Sequence, residues 1–254
     1  GYAALTANTT GTTNTATGYY SLKSNTTGSG NTASGIRSLQ ENTEGDYNTA
    51  SGNQSLRANT EGDNNTASGY MSLLSNTTGT RNLAIGYRAI DDADTENDNL
   101  AIGYDALGGS IAGGEQNIAI GNFSLDANTT GDNNSAVGHN ALSANTTGAG
   151  NTASGAYALY TNTTGDYNSA FGINSLKVSE GGDNNTALGW NSLYTNTSGA
   201  NNTAIGSEAG DVITTGGSNV IIGSGSDPSA NSASNQIVLG YGATGHGDNI
   251  GVIG

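Results

Sequence analysis

Carboxylates are the groups in this chain best placed to do chemistry. The stretch DDADTENDN, residues 91–99, sets Asp91, Asp92, Asp94, Glu96 and Asp98 in one short segment. Clustered hard oxygens of this kind suit Ca2+. The spacing is not that of an EF-hand loop, and the calcium-binding nonapeptide G-G-x-G-x-D is missing. A solvated acidic loop is therefore the other reading. Elsewhere Asp46 and Asp63 lie 17 residues apart, as do Asp166 and Asp183, and Glu44 and Glu61. Stacked one above another, such like charges repel unless they are screened, protonated or bridged by a cation.

Other chemistry finds less footing. GYGATG, residues 240–245, formally matches the dinucleotide pattern G-x-G-x-x-G, but HGDNIGVIG after it cannot make the helix that pattern needs. GSGSD, residues 223–227, lacks the lysine of a phosphate loop. The only histidines, His139 and His246, have no serine and acid set beside them in a triad-like pattern. Paired carboxylates acting on glycans leave no local signature. The chain is read as not an enzyme, with a catalytic solenoid acting on glycans as a third-ranked alternative. Asn8, Asn25, Asn76, Asn128, Asn145, Asn162 and Asn196 each begin an N-T-[TS] sequon, read as a by-product of turn chemistry.

These residues need a frame, and composition narrows it. Hydrophobic residues make up 33% and charged residues 11%, with 41 glycines and a single proline, so an ordinary globular core is not expected. The net charge of −15, with only six Lys and Arg, opposes nucleic acid and anionic membranes. No apolar run approaches the ~20 residues of a membrane span, and no direct membrane insertion is expected. With no cysteine there is no disulfide or thiolate metal site, and no cofactor other than Ca2+ is expected. Both termini fall within a repeat, which predicts a piece of something longer.

The frame is that repeat. Glycines at 1, 18, 35, 52, 69, 86 and 103, then from 121 to 240 in steps of 17, open fifteen units. The consensus is G-x-x-[AS]-L-x-x-N-T-T-G-x-x-N-[TS]-A-x. Positions within a unit are counted from the opening glycine as the first. Weak helix residues and so short a period exclude helical repeats. The expected fold is all-β, a parallel β-solenoid (β-roll) of about fifteen 17-residue coils. It is read as one repeat domain over 1–254, irregular at 86–120 and more apolar at 206–254. Two strands per coil are predicted, one around the [TS]-A-x segment and one around [AS]-L, with N-T-T-G as the corner.

Stacking assigns roles by column. Asn14, Asn31, Asn48, Asn65, Asn82, Asn99, Asn117, Asn134, Asn151, Asn168, Asn185, Asn202 and Asn219 share one position. Each amide is both donor and acceptor, so this column is predicted to hydrogen-bond along the stack. Small residues such as Ala16, Ala33, Ser21 and Ser38 are placed inward. Twelve units carry Leu or Ile at the fifth position, from Leu5 to Leu193. A coil filled by Ala is expected to be too thin for this stripe, so a partner chain is predicted to cover it, with Leu inside a monomeric coil as the alternative. Tyr19, Tyr70, Tyr87, Tyr104 and Trp190, just after the repeat glycine, are candidate surface contacts or covers between coils.

NTAIG (202–206), SNVIIG (218–223) and NQIVLG (235–240) resemble the head repeats of trimeric autotransporter adhesins, the YadA-like heads. Those repeats run at about 14 residues, the spacing from Gly240 to Gly254 here. NQIVLGYGATGHGDNIGVIG, residues 235–254, also resembles stalks of bacterial and phage tail-fibre-like proteins. The resemblance implies a left-handed roll, a homotrimer, and an extracellular, cell-surface or virion location. The expected function is a structural or adhesive fibre segment that engages a host glycan or surface protein. Thr15/Thr17, Thr32/Ser34, Thr49/Ser51 and Thr66/Ser68 raise an ice-binding solenoid as the alternative.

Overall fold

The computed structural model describes residues 1–109 and 114–254; four residues of the irregular 86–120 stretch lie outside it. Among the described residues there is no helix, and a three-residue strand recurs once per repeat. Two compact units divide the chain at Thr130/Gly131. The first holds β1 (Thr15–Thr17), β2 (Thr32–Ser34), β3 (Thr49–Ser51), β4 (Thr66–Ser68), β5 (Leu83–Ile85), β6 (Leu100–Ile102) and β7 (Ile118–Ile120). The second holds β8 (Ser135–Val137), β9 (Thr152–Ser154), β10 (Ser169–Phe171), β11 (Thr186–Leu188), β12 (Thr203–Ile205), β13 (Val220–Ile222), β14 (Ile237–Leu239) and β15 (Gly251–Ile253). Within each unit, consecutive strands pair in parallel with the repeat in register, as where Ala33 faces Ala50 and Ala50 faces Ala67. Each unit is a β-solenoid, as the repeat predicts.

Among the described residues the second strand of each coil is not formed. Around [AS]-L the chain turns instead: the Ser38 N–H donates to the Gly35 carbonyl at 3.4 Å, and the Asn42 N–H to the Leu39 carbonyl at 3.4 Å. In the coils opened by Gly1 to Gly206 the residues at the third and fifth positions have positive φ, as in Tyr20 (59°), Leu22 (47°), Arg37 (58°) and Leu39 (48°). An extended strand sends neighbouring side chains to opposite faces. The left-handed fifth residue breaks that alternation, so that Ser21 and Leu22, adjacent in sequence, are both fully buried.

This corrects the prediction that a partner chain covers the Leu stripe. Leu22, Leu39, Leu56, Leu73, Ile90 and Leu107 are wholly buried inside their own coils, as are Leu125, Leu142, Leu159, Leu176 and Leu193. Each burial contributes about 1.5–3 kcal/mol. A non-glycine left-handed residue costs about 1–3 kcal/mol. Burial and the lateral hydrogen bonds together offset that cost. The Leu22 N–H donates to the Ser38 carbonyl of the next coil at 3.1 Å, while the Arg37 N–H reaches back to Tyr19 at 2.8 Å.

The inner lining is thus Ser or Ala, Leu, Asn, Gly, Asn and Ala, read around one coil. Volume is exchanged between columns where one member changes. Gly210 occupies the Leu position of its coil, and buried Ile213 and Ile221 stand at the Asn and Ala positions. A Cβ on Gly210 would come within 3.2 Å of Leu193 and 3.3 Å of Ile213, so these larger neighbours have taken up the space.

Candidate functional site

The outward residues of the strands and the residue two places after each strand present the side chains most available to a partner. In β1–β4 the outward pairs are Thr and Ser. From β5 to β7 they become Leu83/Ile85, Leu100/Ile102 and Ile118/Ile120, with Ile85, Ile118 and Ile120 exposed. One residue past the repeat glycine, Tyr70, Tyr87 and Tyr104 stand exposed in a column. Tyr70 and Tyr87 stack at 5.3 Å between ring centroids and Tyr87 and Tyr104 at 4.9 Å, nearly parallel. The rings face one another, so their edges are what they present outward. In the second unit the same two columns carry exposed Val137, Phe171, Ile173, Leu188, Trp190, Ile205 and Ile222.

Tyr19 and Trp190 are likewise exposed, so every aromatic residue singled out from the sequence lies on the surface. Tyr19 stacks on Tyr2 at 5.5 Å. Two exposed tyrosines escaped the pattern search: Tyr47 and Tyr167 occupy the thirteenth position, each with positive φ. Their rings lie beside Gly30 and Gly150 of the preceding coils, which a Cβ would bring to 2.7 Å from the ring. That position is left-handed in other coils too and holds residues as different as Asn, Gly, Arg81, Asp98 and Ser218 there, so residue type gave no signal.

The acidic segment does not converge. Asp91 pairs with Arg88 at 2.5 Å, and Asp98 accepts from Arg81 at 2.6 and 2.8 Å. Asp94 accepts from the Thr77 hydroxyl. Buried Glu96 turns its carboxylate onto the backbone N–H groups of Asp94 and Thr95, at 2.8 and 3.0 Å. Asp92 is exposed. Four of these five acids therefore face different partners, and Asp92 faces solvent. Among the described residues no group of three acids or histidines could hold a metal ion. The Arg81 guanidinium holds the Asp98 carboxyl below the usual range, whereas burial pushes Asp91 up against the pull of Arg88.

The stacked aspartates also have a use. Asp46 accepts the Ser29 N–H at 2.6 Å, and Asp63 accepts the Asp46 N–H at 2.7 Å. Asp166 and Asp183 repeat this on Ala149 and Asp166, at 2.8 and 2.9 Å. Each carboxylate binds a backbone donor of the preceding coil, a charge-assisted bond that opposes the repulsion along the column. Glu44 and Glu61 are exposed. His139 lies against Asn140 and Tyr157, while His246 is exposed.

Two Asn columns divide the work of linking successive coils. Asn14 to Asn219 line the interior, but they act mainly through backbone. Asn31 accepts the Asn48 N–H at 2.8 Å and donates to the Gly45 carbonyl at 2.7 Å. The main side-chain ladder runs through the Asn of the N-T-T-G corner. Asn42 donates to Asn25 at 2.8 Å and accepts from Asn59 at 2.6 Å. The glycine of the motif leaves room for it: a Cβ on Gly28 would lie 2.6 Å from the Asn25 side-chain oxygen. Six of the seven sequon asparagines, all but Asn8, are fully buried in this ladder.

Compared with known proteins, the chain matches no protein-family model and no curated protein.

Proposed function

We propose that this chain is a structural or adhesive fibre segment of a cell-surface or virion protein, extracellular, whose copies associate through the apolar strand face as a homotrimer. The observation that carries the reading is the outward aliphatic side chains on β5–β7 of the first unit and on β11–β14 of the second, on coils whose interior is already filled. Large exposed apolar patches mark interfaces. The Leu stripe is engaged within each coil, so the seam falls on Leu83/Ile85, Leu100/Ile102 and their counterparts. The stacked tyrosines of the first unit and, separately, Trp190 of the second offer hydroxyl groups and ring edges to a host glycan or surface protein. No catalytic role, cofactor or nucleic-acid partner belongs to this reading.

Solution mass by light scattering on this 25.2 kDa chain is the test. A mass near three chains supports the reading. A clean monomer at high concentration overturns the trimeric part.

A second reading rests on a separate observation. Thr15, Thr32, Thr49 and Thr66 stand in register beside Thr17, Ser34, Ser51 and Ser68, directed outward on a parallel sheet. A regular hydroxyl array of this kind suits an ice surface. Thermal hysteresis that disappears when Thr32 and Thr49 are replaced by Val and Lys would favour it. Its absence would remove it.

A further inference from the structure

We propose that the Asp227–Pro228 peptide bond is a self-cleavage site, at which the Asp227 side chain cuts the folded chain and leaves Pro228–Gly254 as a separate, still-docked segment. Pro228 is the only proline in the protein. Asp227 stands at the fifth position of its coil, where most earlier coils bury Leu or Ile. The left-handed turn found there in the earlier coils is replaced by a bridge to Thr244 of the following coil.

The backbone on both sides of the bond is held. The Asp227 N–H donates to the Ala243 carbonyl at 2.9 Å. The Ser229 N–H donates to the Gln236 side-chain oxygen at 3.0 Å. Most important, the carbonyl oxygen of the bond itself accepts the Gly245 N–H at 2.8 Å. A donor fixed on that oxygen polarises the carbonyl and stabilises the negative charge that attack would place there. Asp227 Oδ1 is buried and has no hydrogen-bond partner, so one carboxyl oxygen is uncommitted on the residue whose peptide bond would be cut.

The step balances. Asp227 Oδ1 forms a C–O bond to the main-chain carbonyl carbon, closing a five-membered cyclic anhydride. The carboxyl proton passes to the proline nitrogen, and the C–N bond breaks with its electron pair going to that nitrogen. Pro228 leaves as a free secondary amine. One water molecule then opens the anhydride, its OH adding to one carbonyl carbon and its proton to the bridging oxygen. The side-chain carboxyl and a new terminal carboxyl result.

The reaction needs that proton, and the surroundings keep it available. Burial pushes the Asp227 carboxyl up to about 6; Asp211 and Glu208 of the preceding coil add to the effect, and the Val212 N–H opposes it. The following coil sets Ala243–Gly245 against it, which carry no ionisable side chain. Protonated carboxyl is thus present in mild acid, where an ordinary aspartate would have lost it.

The test is incubation of the purified 254-residue chain at about pH 5 and about pH 7.5, followed by intact-mass measurement under denaturing conditions. The expected products are 1–227 and 228–254, with proline at the new amino terminus. Cleavage at the lower pH should be at least about tenfold faster, and faster in the folded chain than in guanidinium at the same pH. Asp227→Asn and Pro228→Ala should each leave the chain intact while its circular dichroism is unchanged. A chain that stays whole for days at about pH 5 overturns the proposal. So does equal cleavage of the unfolded chain, which would make the event a property of the dipeptide alone.

Discussion

The coils of β1–β4 and those of β5–β7 share one interior and differ in what they show outside. Ala33, Ala50, Ala84 and Ala101 are equally buried, as are Leu22, Leu39, Ile90 and Leu107. Outward, Thr32/Ser34 and Thr49/Ser51 give way to Leu83/Ile85 and Leu100/Ile102 without a change in strand length or register. The inside of the coil sets the fold, and the strand face is left free to vary. A stack whose stability comes from repeat interiors and nearest-neighbour interfaces permits this, because outward side chains enter neither term strongly.

The largest test of that division is truncation of the stripe in both regions. Leu39→Ala and Leu107→Ala should each cost about 2–5 kcal/mol, by similar amounts, in thermal or denaturant unfolding. A much smaller loss for Leu107→Ala would mean that the apolar-faced coils depend on their exterior. Next comes the inner amide ladder. Asn42→Ala removes the donor to Asn25 and Gly45 and the acceptor for Asn59, and should cost about 1–3 kcal/mol.

The same ladder predicts a gain. Asn162 Oδ1 and Ser179 Oγ are buried without partners where Ser interrupts the Asn column. Ser179→Asn should restore the donor and raise stability by about 1 kcal/mol. An unchanged or lowered melting temperature would show that the coil there cannot take the larger side chain.

Acidity separates the regions further. Burial pushes the Asp126 carboxyl up, with Asp105 and Asp91 adding and Arg88 opposing. A raised value means the folded chain holds this proton more tightly than the unfolded chain. Its contribution is therefore full below the ordinary value of 3.8 and is lost as pH rises through the folded value. Asp126→Asn should raise the melting temperature near neutral pH and have little effect in strong acid. The smallest effect on folding is expected outside. Replacing Ile85, Ile102 and Ile120 by the Ser or Thr of earlier coils should change stability by no more than about 0.5 kcal/mol per site in the isolated chain. The same change should abolish self-association seen by light scattering. Loss of the fold instead would erase the distinction between inside and outside.

The repeat period, the inward Ala and Ser columns, and the buried Asn14 column were legible because each rests on residue size and spacing. The exposed tyrosines were legible for a similar reason: a variable position beside an invariant glycine has little packing to satisfy. The Leu stripe was misplaced because a coil lined by Ala looks too thin to hold it, whereas the left-handed fifth residue turns Leu inward beside its small neighbour. Nothing in the letters of Tyr20, Leu22 or Arg37 announces a positive φ, since such residues disfavour it. The acids at 91–98 looked like one donor set because they are close in sequence, but a chain changing direction at each corner sends neighbours to different coils.

Composition and a 17-residue period by themselves determined a stacked, small-cored parallel solenoid. They did so because identical coils can satisfy their backbone and side-chain amides only by lying over one another. Tertiary structure decided which way each side chain turns within the coil. That choice belongs to the left-handed turns, which become stable only when neighbouring coils take up their N–H groups and the filled interior takes up their leucines.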